Sequence, residues 1–167
     1  RIGIQFRENC KYNTIEKNTI HSNGFDGISF VLDRISHNTL AKNTIYSNGW
    51  NGINLVLSDN NEIIENEITL NLINGIQLLD GDNNIISKNT ISENNEEAIM
   101  IIGYDSNNNK IYYNNIINDN ALDNGNNQWD NGDLGGNYWS YYTGADENND
   151  GFGDEPYRIP GDDKTDR

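Results

Sequence analysis

The sequence predicts an all-β fold, a parallel β-helix, in which about five coils of 23–25 residues stack as a solenoid and an irregular C-terminal cap closes it. Three observations predict this fold. The motif Asn-x-Ile-x-x-Asn-x-Ile recurs between residues 13 and 116, a Gly-Ile step recurs at the same spacing, and apolar residues alternate after that step. Fixed internal periods of 20–50 residues are typical of solenoids.

The repeat has a nearly constant length. Copies begin at residues 13, 38, 61, 84 and 109, and the second asparagine of each copy stands at 18, 43, 66, 89 and 114, giving spacings of 25, 23, 23 and 25. One copy of this size cannot bury its own apolar side, whereas copies stacked in register bury a continuous core.

Short strands are expected within each coil. In "GISFVL" (27–32) the apolar residues Ile28, Phe30 and Leu32 alternate with others, which is a strand signal. The copies are too short and too rich in asparagine and glycine for paired helices, so we predict two or three strands of 3–5 residues per coil. Equivalent isoleucines of successive coils should form the buried columns.

The 33 asparagines are the most unusual feature of the composition. Two columns are unbroken asparagine, at 13, 38, 61, 84, 109 and at 18, 43, 66, 89, 114. We expect them at the corners, for two reasons. Asparagine tolerates left-handed backbone angles, and stacked amides hydrogen-bond from coil to coil as an asparagine ladder.

The net charge restricts the classes of molecule that the protein is expected to bind. The chain holds 26 acidic and 11 basic residues, a net charge of −15. This charge disfavours nucleic acid and anionic membrane surfaces, and no run approaches the ~20 apolar residues of a membrane helix, so we expect no membrane insertion by this segment. The single cysteine, Cys10, allows no internal disulfide.

The sequence divides into two parts. Residues 1–122 are predicted to form the coils, with a net charge of −7, and residues 123–167 the capping segment, with a net charge of −8. The chain opens on "RIGIQF", inside a coil, so we expect preceding coils in a longer protein. An open N-terminal end with unpaired strand edges leaves room for self-association.

"GADENNDGFGDEPY" (144–157) predicts a calcium loop. Its ligands would be the side chains of Asp146, Asn148, Asp150 and Asp154 and the backbone carbonyl of Phe152. Oxygens at loop positions 1, 3, 5, 7 and 9 with glycine at position 6 are typical of calcium loops. Position 12 is tyrosine instead of glutamate, so a further oxygen would come from water or from a carboxylate such as Asp130, Asp133 or Glu155. A solvated acidic turn is the alternative.

Aromatic residues suggest two further roles. Trp129 and the segment "NYWSYY" (137–142) are expected to cover the last coil, with a sugar platform as the alternative. Phe25 and Trp50 occupy equivalent positions in adjacent coils, where they could contact a carbohydrate or pack against each other. We assign no catalytic residue, although Glu96 and Glu97 would serve a polysaccharide-active enzyme.

The repeats and the tail together resemble the NosD-like family of right-handed parallel β-helix proteins. Residues 126–162 are similar to the C-terminal segment of archaeal cell-surface members, through Trp129-Asp130, Gly136-Asn137-Tyr138-Trp139-Ser140, Asp150-Gly151 and Pro156-Tyr157. The resemblance implies an extracellular or cell-surface location and a structural, carbohydrate-binding or adhesion role. The alternative is part of a polysaccharide-degrading or -modifying enzyme.

Copper handling, which the resemblance also raises, is the least favoured function. Copper prefers thiolate, thioether and imidazole ligands. The residues of these types are Cys10, His21, His37 and Met100, and they share no column of the repeat.

Overall fold

The computed structural model describes residues 1–31, 35–104, 106–132, 135–149, 153–161 and 164–166. Within these ranges the chain forms 21 strands and no helix. The strands wind into a parallel β-solenoid of about six turns, one more than the sequence predicted, because strands from both ends of the chain join the stack. None of the described elements is a helix long and apolar enough to span a membrane.

Three parallel sheets form the sides of the solenoid, and the bounds of their strands are as follows. The first sheet contains β1 (Ile4–Arg7), β4 (Ile28–Val31), β8 (Ile53–Val56), β12 (Ile76–Leu79), β15 (Glu97–Ile102) and β18 (Asn120–Asp123). The second contains β2 (Thr14–Glu16), β6 (Thr39–Ala41), β10 (Glu62–Ile64), β13 (Ile85–Ser87) and β16 (Lys110–Tyr112). The third contains β3 (Thr19–His21), β7 (Thr44–Tyr46), β11 (Glu67–Thr69), β14 (Thr90–Ser92), β17 (Asn115–Ile117) and β19 (Tyr138–Trp139).

Two smaller strand pairs complete the structure. Strands β5 (Ile35–Ser36) and β9 (Ser58–Asp59) pair in parallel beside the stack. Strands β20 (Tyr157–Ile159) and β21 (Lys164–Asp166) form an antiparallel hairpin in the cap.

The predicted core columns are confirmed. The register pairs Ile28 with Ile53, and Ile68 with Ile91, as the repeat alignment required. From the second coil onward the inward isoleucines and leucines are fully buried, and each stabilises the fold by about 1.5–3 kcal/mol. Leu32, the third apolar residue of "GISFVL", lies outside the described residues.

The predicted asparagine ladders are also confirmed. In both columns the backbone N–H and the Nδ2 of each asparagine donate to the Oδ1 of the equivalent asparagine one coil later, as Asn43 does to Asn66 at 2.9 and 3.0 Å. A third ladder, which the sequence analysis missed, runs through Asn23, Asn48, Asn71 and Asn94. Every step therefore satisfies two donors with one buried acceptor.

The expectation that the ladder asparagines adopt left-handed angles is wrong. The residue before each ladder position takes that conformation instead, as Lys17 (φ 56°), Lys42 (φ 54°) and Leu70 (φ 57°) do. The reason is geometric: the ladder amide must point inward to reach the next coil, so the left-handed residue before it makes the corner and carries its side chain outward.

The Gly-Ile step allows the coils to approach closely. A Cβ on Gly52 would lie 2.6 Å from the Ile68 Cγ2 and 2.7 Å from the Gly75 carbonyl oxygen. Ala98 occupies this position in the fifth coil, and there the pairing register shifts between Glu97 and Ile99. The bulge makes room for the methyl group that the regular coils exclude.

Candidate functional site

The cap is anchored where two ladders end. The first ladder passes from Asn109 to Asn127, whose Nδ2 donates to Asp123 Oδ1 at 2.8 Å. The Trp129 Nε1 donates to Asp123 Oδ2 at 2.8 Å. A carboxylate accepts hydrogen bonds and offers no N–H, so it satisfies the last donors and ends the ladder.

The second ladder ends in the same way. It passes from Asn114 to Asn137, whose backbone N–H and Nδ2 donate to Asp166 Oδ2 at 2.9 and 3.0 Å. The Trp139 Nε1 donates to the same oxygen at 2.6 Å. Burial raises the pKa of Asp166 to about 7, against the opposing effect of the hydrogen bonds from Trp139 and Asn137.

A sequence signal for these anchors exists and was missed. Asn127-Gln128-Trp129 and Asn137-Tyr138-Trp139 are the Asn-x-Ile motif of the repeat with tryptophan in place of isoleucine. Trp129 and Trp139 are buried in the core at 2% and 4% exposure, so they fill the end of the stack. Strand pairing accordingly continues past residue 122 as far as Trp139.

A cleft of about 480 Å³ lies between the last coil and the cap. Its aromatic lining residues are Tyr113, Tyr138, Trp139, Tyr142 and Tyr157. Its acidic lining residues are Asp146, Glu155 and Asp166. The floor is rigid, because the Tyr157 ring stacks on the Trp139 ring with centroids 4.2 Å apart. Clefts of this size with aromatic walls and a few polar groups are the usual form of small-ligand sites.

The wall of the cleft is not fully engaged in packing. Tyr138 is 60% exposed and Tyr113 is 43% exposed, so both rings are accessible to a ligand. On the opposite side, the Tyr142 hydroxyl donates to the carbonyl oxygen of Glu155 at 2.8 Å and holds the cap loop against the cleft.

The predicted calcium loop begins at this cleft. Of the five predicted ligands, Asp146, Asn148 and Asp154 are described, and Asp150 and Phe152 lie outside the described residues. The Asp154 backbone N–H donates to the Ala145 carbonyl at 2.8 Å, and its Oδ2 accepts from the Glu147 N–H at 2.7 Å. These bonds bring the two ends of the loop together.

The additional calcium ligands considered above are differently placed. Asp130 Oδ1 accepts hydrogen bonds from the Gly132 N–H at 2.8 Å and from Gln128 Nε2 at 3.0 Å, and Glu155 borders the cleft. Asp133 lies outside the described residues. Within the described ranges, no three acidic, histidine or cysteine side chains are grouped closely enough to hold a metal ion.

Phe25 and Trp50 lie together on the outside of the solenoid. Their ring centroids are 4.7 Å apart, and the rings are 43% and 47% exposed. The ring planes meet at 80°, so the pair packs edge to face and offers one ring face instead of a flat platform for a sugar.

Of the two glutamates considered for catalysis, Glu97 begins β15 and Glu96 directly precedes the strand. Burial, followed by the charge of Glu96, raises the pKa of Glu97 above its ordinary value. A raised carboxyl pKa is a property that general acids use. Neither residue lines the cleft.

The residues considered for copper each contact other side chains or backbone groups. The Cys10 Sγ lies 3.2 Å from the Arg7 carbonyl oxygen, and the Met100 Sδ accepts a hydrogen bond from Asn74 at 3.5 Å. Each of the two histidine rings packs against a tyrosine ring, at centroid distances of 4.8 and 5.1 Å.

Coils of short parallel strands, stacked on an aliphatic core and joined by asparagine ladders, define a parallel β-helix protein. Within that class, the chain belongs to the NosD family: the family model, described as periplasmic copper-binding protein (NosD), matches residues 1–144. No curated protein matches the chain significantly.

Solved structures with the same fold include the periplasmic alginate epimerase AlgG, at 17% identity and a TM-score of 0.62, over 76% of this chain and 36% of the epimerase. A point mutant of that enzyme matches at 20% identity and a TM-score of 0.63, over 72% of this chain and 32% of the mutant. The chain therefore spans about a third of the length of these structures, and the likeness concerns the fold alone.

Proposed function

We propose that this chain is a glycan-binding β-solenoid module that works outside the cytoplasm and whose cap is held in place by calcium. The observation that carries the proposal is the cleft between the last coil and the cap, with exposed tyrosine rings beside carboxylates. Aromatic faces pack against sugar rings and carboxylate oxygens accept hydrogen bonds from sugar hydroxyls. The word periplasmic in the description of the family and of the epimerase supports the location.

A glycan array tests the binding function. The Tyr138→Ala variant removes the most exposed ring of the cleft, and Tyr104→Ala removes a fully exposed tyrosine that does not line it. Loss of one stacking side chain should weaken binding about tenfold, the equivalent of about 1.4 kcal/mol. The proposal requires a loss for the first variant and none for the second. Equal binding by both variants, or no glycan bound by the wild type, would overturn it.

Calcium binding by residues 146–154 is the second part of the proposal. The oxygen pattern of the sequence and the closure of the loop by Asp154 support it. An ion at the start of this loop would relieve repulsion among its carboxylates, and its binding energy would add to the stability of the cap. At a concentration 100-fold above its dissociation constant, calcium would stabilise the protein by about 2.7 kcal/mol.

Calorimetric melting with calcium or EDTA tests this part. Calcium should raise the melting temperature of the wild type, magnesium should raise it less, and Asp154→Asn should abolish the increase. The control is Glu62→Gln, which removes an exposed carboxylate from β10 and should leave the increase unchanged. The same melting temperature in millimolar calcium and in EDTA would contradict calcium binding.

Phe25 and Trp50 are proposed as a secondary carbohydrate contact. Their exposure supports this role, and their edge-to-face packing restricts it to one ring face. Trp50→Ala should weaken binding to long glycans more than to short ones, because only a long chain reaches both this pair and the cleft.

Participation in a polysaccharide-modifying enzyme is the alternative function. The shared fold with an alginate epimerase and the raised pKa of Glu97 favour it. Turnover of a uronate polymer by the wild type and its loss in Glu97→Gln would establish this alternative.

A further inference from the structure

The charge of the cap cleft restricts which glycan it accepts. All three of its charged lining residues are acidic: Asp146, Glu155 and Asp166. Among the described residues that line the cleft there is no lysine, arginine or histidine. The chain as a whole carries a net charge of −15. A ligand that approaches this cleft therefore meets a negative potential at long range, and at contact Glu155 supplies the charge, because the proposed calcium ion would neutralise Asp146 and burial favours the protonated form of Asp166.

The most accessible carboxylate of the cleft belongs to Glu155. Glu155 is exposed, whereas the carboxylate of Asp166 is buried at 2% exposure and is occupied by Trp139 and Asn137. The Tyr142 hydroxyl holds the Glu155 backbone at 2.8 Å, so the start of this side chain is fixed beside the aromatic wall.

Aromatic rings and carboxylates around one cleft form a site for a cation. The face of a tyrosine ring attracts a positive charge, and a carboxylate adds a direct ion pair. A neutral sugar would use the rings and donate hydrogen bonds from its hydroxyls without an ion pair, and a uronate would bring its own carboxylate against that of Glu155. The same geometry therefore ranks amine-bearing, neutral and acidic sugars in that order.

We propose that the cap cleft selects a glycan with free amino groups, placing a sugar ring against Tyr138 or Tyr113 and a protonated amine against Glu155. This inference rests on the proposed glycan-binding function and names the class of ligand. The cleft, at about 480 Å³, has room for one or two sugar rings. The inferred preference for amino groups would distinguish this chain from a uronate-binding protein, although the chain shares its fold with an alginate epimerase.

Titration calorimetry with matched oligosaccharides tests the inference, in calcium and at a pH at which the amines are protonated. The probes are a glucosamine hexamer, its fully N-acetylated counterpart and a mannuronate hexamer. One ion pair at a partly exposed site is expected to give the glucosamine hexamer about tenfold tighter binding than the N-acetylated one. Its affinity should also fall with added salt. The mannuronate hexamer should bind most weakly.

Two variants test whether the preference for the glucosamine hexamer comes from the cleft. Glu155→Gln keeps the shape of the side chain and removes its charge, so it should reduce the preference for the glucosamine hexamer about tenfold and leave binding of the N-acetylated hexamer unchanged. Glu62→Gln, an exposed carboxylate on β10, is the matched control and should change neither. A melting curve for each variant establishes that the fold is retained.

The outcomes separate the inference from the function on which it rests. Equal affinity for the glucosamine and N-acetylated hexamers, or tighter binding of mannuronate, would overturn the inference and leave glycan binding standing. Equally tight binding of spermidine, a polyamine without a sugar ring, would overturn the sugar part of the inference. Failure of all three hexamers to bind would overturn the inference, and the proposed function falls as well only if the glycan array also shows no bound glycan.

Discussion

Replacing Asn66 with alanine should show how much the asparagine ladders contribute to the stability of the solenoid. The side chain of Asn66 takes part in five hydrogen bonds. Its Oδ1 accepts from the backbone N–H and the Nδ2 of Asn43, and its Nδ2 donates to the Leu40 carbonyl at 2.8 Å, the Ile64 carbonyl at 3.1 Å and the Asn89 Oδ1 at 3.0 Å. These hydrogen bonds are shielded from water, because Asn66 is only 1% exposed.

The magnitude follows from the groups that lose their partners. After Asn66→Ala, the buried N–H of Asn43 has no acceptor, and the carbonyl of Leu40 loses its side-chain donor. An unsatisfied buried polar group costs about 1–3 kcal/mol, so we expect the free energy of unfolding to fall by about 3–5 kcal/mol. Asn18 belongs to the same ladder, in the first described coil, and its side chain is exposed. Water can therefore replace the hydrogen bonds that are lost when Asn18 is mutated. Asn18→Ala should therefore cost about 1 kcal/mol or less.

Urea unfolding followed by far-ultraviolet circular dichroism measures both variants. A third variant, Asn66→Asp, keeps the acceptor for Asn43 and replaces the donor by an oxygen that faces the carbonyls of Leu40 and Ile64. The decrease in the free energy of unfolding should be larger for Asn66→Asp than for Asn66→Ala at neutral pH. The decrease should become smaller in acid, where the carboxyl group regains a proton to donate. If Asn66→Ala costs no more than Asn18→Ala, the ladders do not stabilise the fold in the way described.

Three further predictions concern single positions. Leu70 is an exposed leucine at φ 57°, so Leu70→Asn should stabilise the protein by about 1 kcal/mol, whereas Leu72→Asn, outside the left-handed region, should not; equal effects in thermal unfolding would refute the assignment. Gly52→Ala should cost about 1–3 kcal/mol in urea unfolding because its Cβ meets the next coil, and Gly24→Ala, whose nearest neighbour would be 3.1 Å away, should cost less. Burial raises the pKa of Asp166 from 3.8 to about 7, so the folded state binds this proton more tightly than the unfolded state, and stability should fall as the pH rises from about 4 to 7. Asp166→Asn should remove this part of the pH dependence, by about 2–4 kcal/mol across that range, and unchanged pH curves would contradict it.

The repeating part of the fold was predictable because every coil must meet the same burial and hydrogen-bonding requirements. Each isoleucine column and both asparagine columns satisfy the same burial and hydrogen-bonding requirement once per coil, so the sequence displays that requirement several times. The position of the left-handed corner was not predictable in this way. It falls on residues as different as Lys42, Leu70 and Tyr113, which share a backbone angle and no side-chain chemistry.

The cap was harder to predict because each of its features occurs once. At Trp129 and Trp139 the Asn-x-Ile motif has tryptophan where the repeats have isoleucine. The spacing of the motif is kept, but a search for isoleucine does not find it. The pairing of these rings with Asp123 and Asp166 depends on contacts over as many as 27 residues, which no local pattern reveals. The cleft is a product of the same long-range contacts, so its tyrosines could be noticed in the sequence but not brought together.

The three asparagine ladders that run toward the cap have a consequence for the evolution of such proteins, whereas a shorter ladder runs the opposite way, from the Glu97 N–H through Asn74 and Asn51 to Asp26. An asparagine that accepts on one side and donates on the other is a neutral link, so a coil can be duplicated or deleted in the middle of the stack without leaving any unmatched group. Asp123, Asp166 and Asp119, which receives the third ladder, cannot be copied inward in the same way, because the side chain of an aspartate has no N–H to donate to the next coil. The solenoid can thus change in length by whole coils, whereas an aspartate placed inside one of these three ladders would lose the hydrogen bond that its side chain cannot donate.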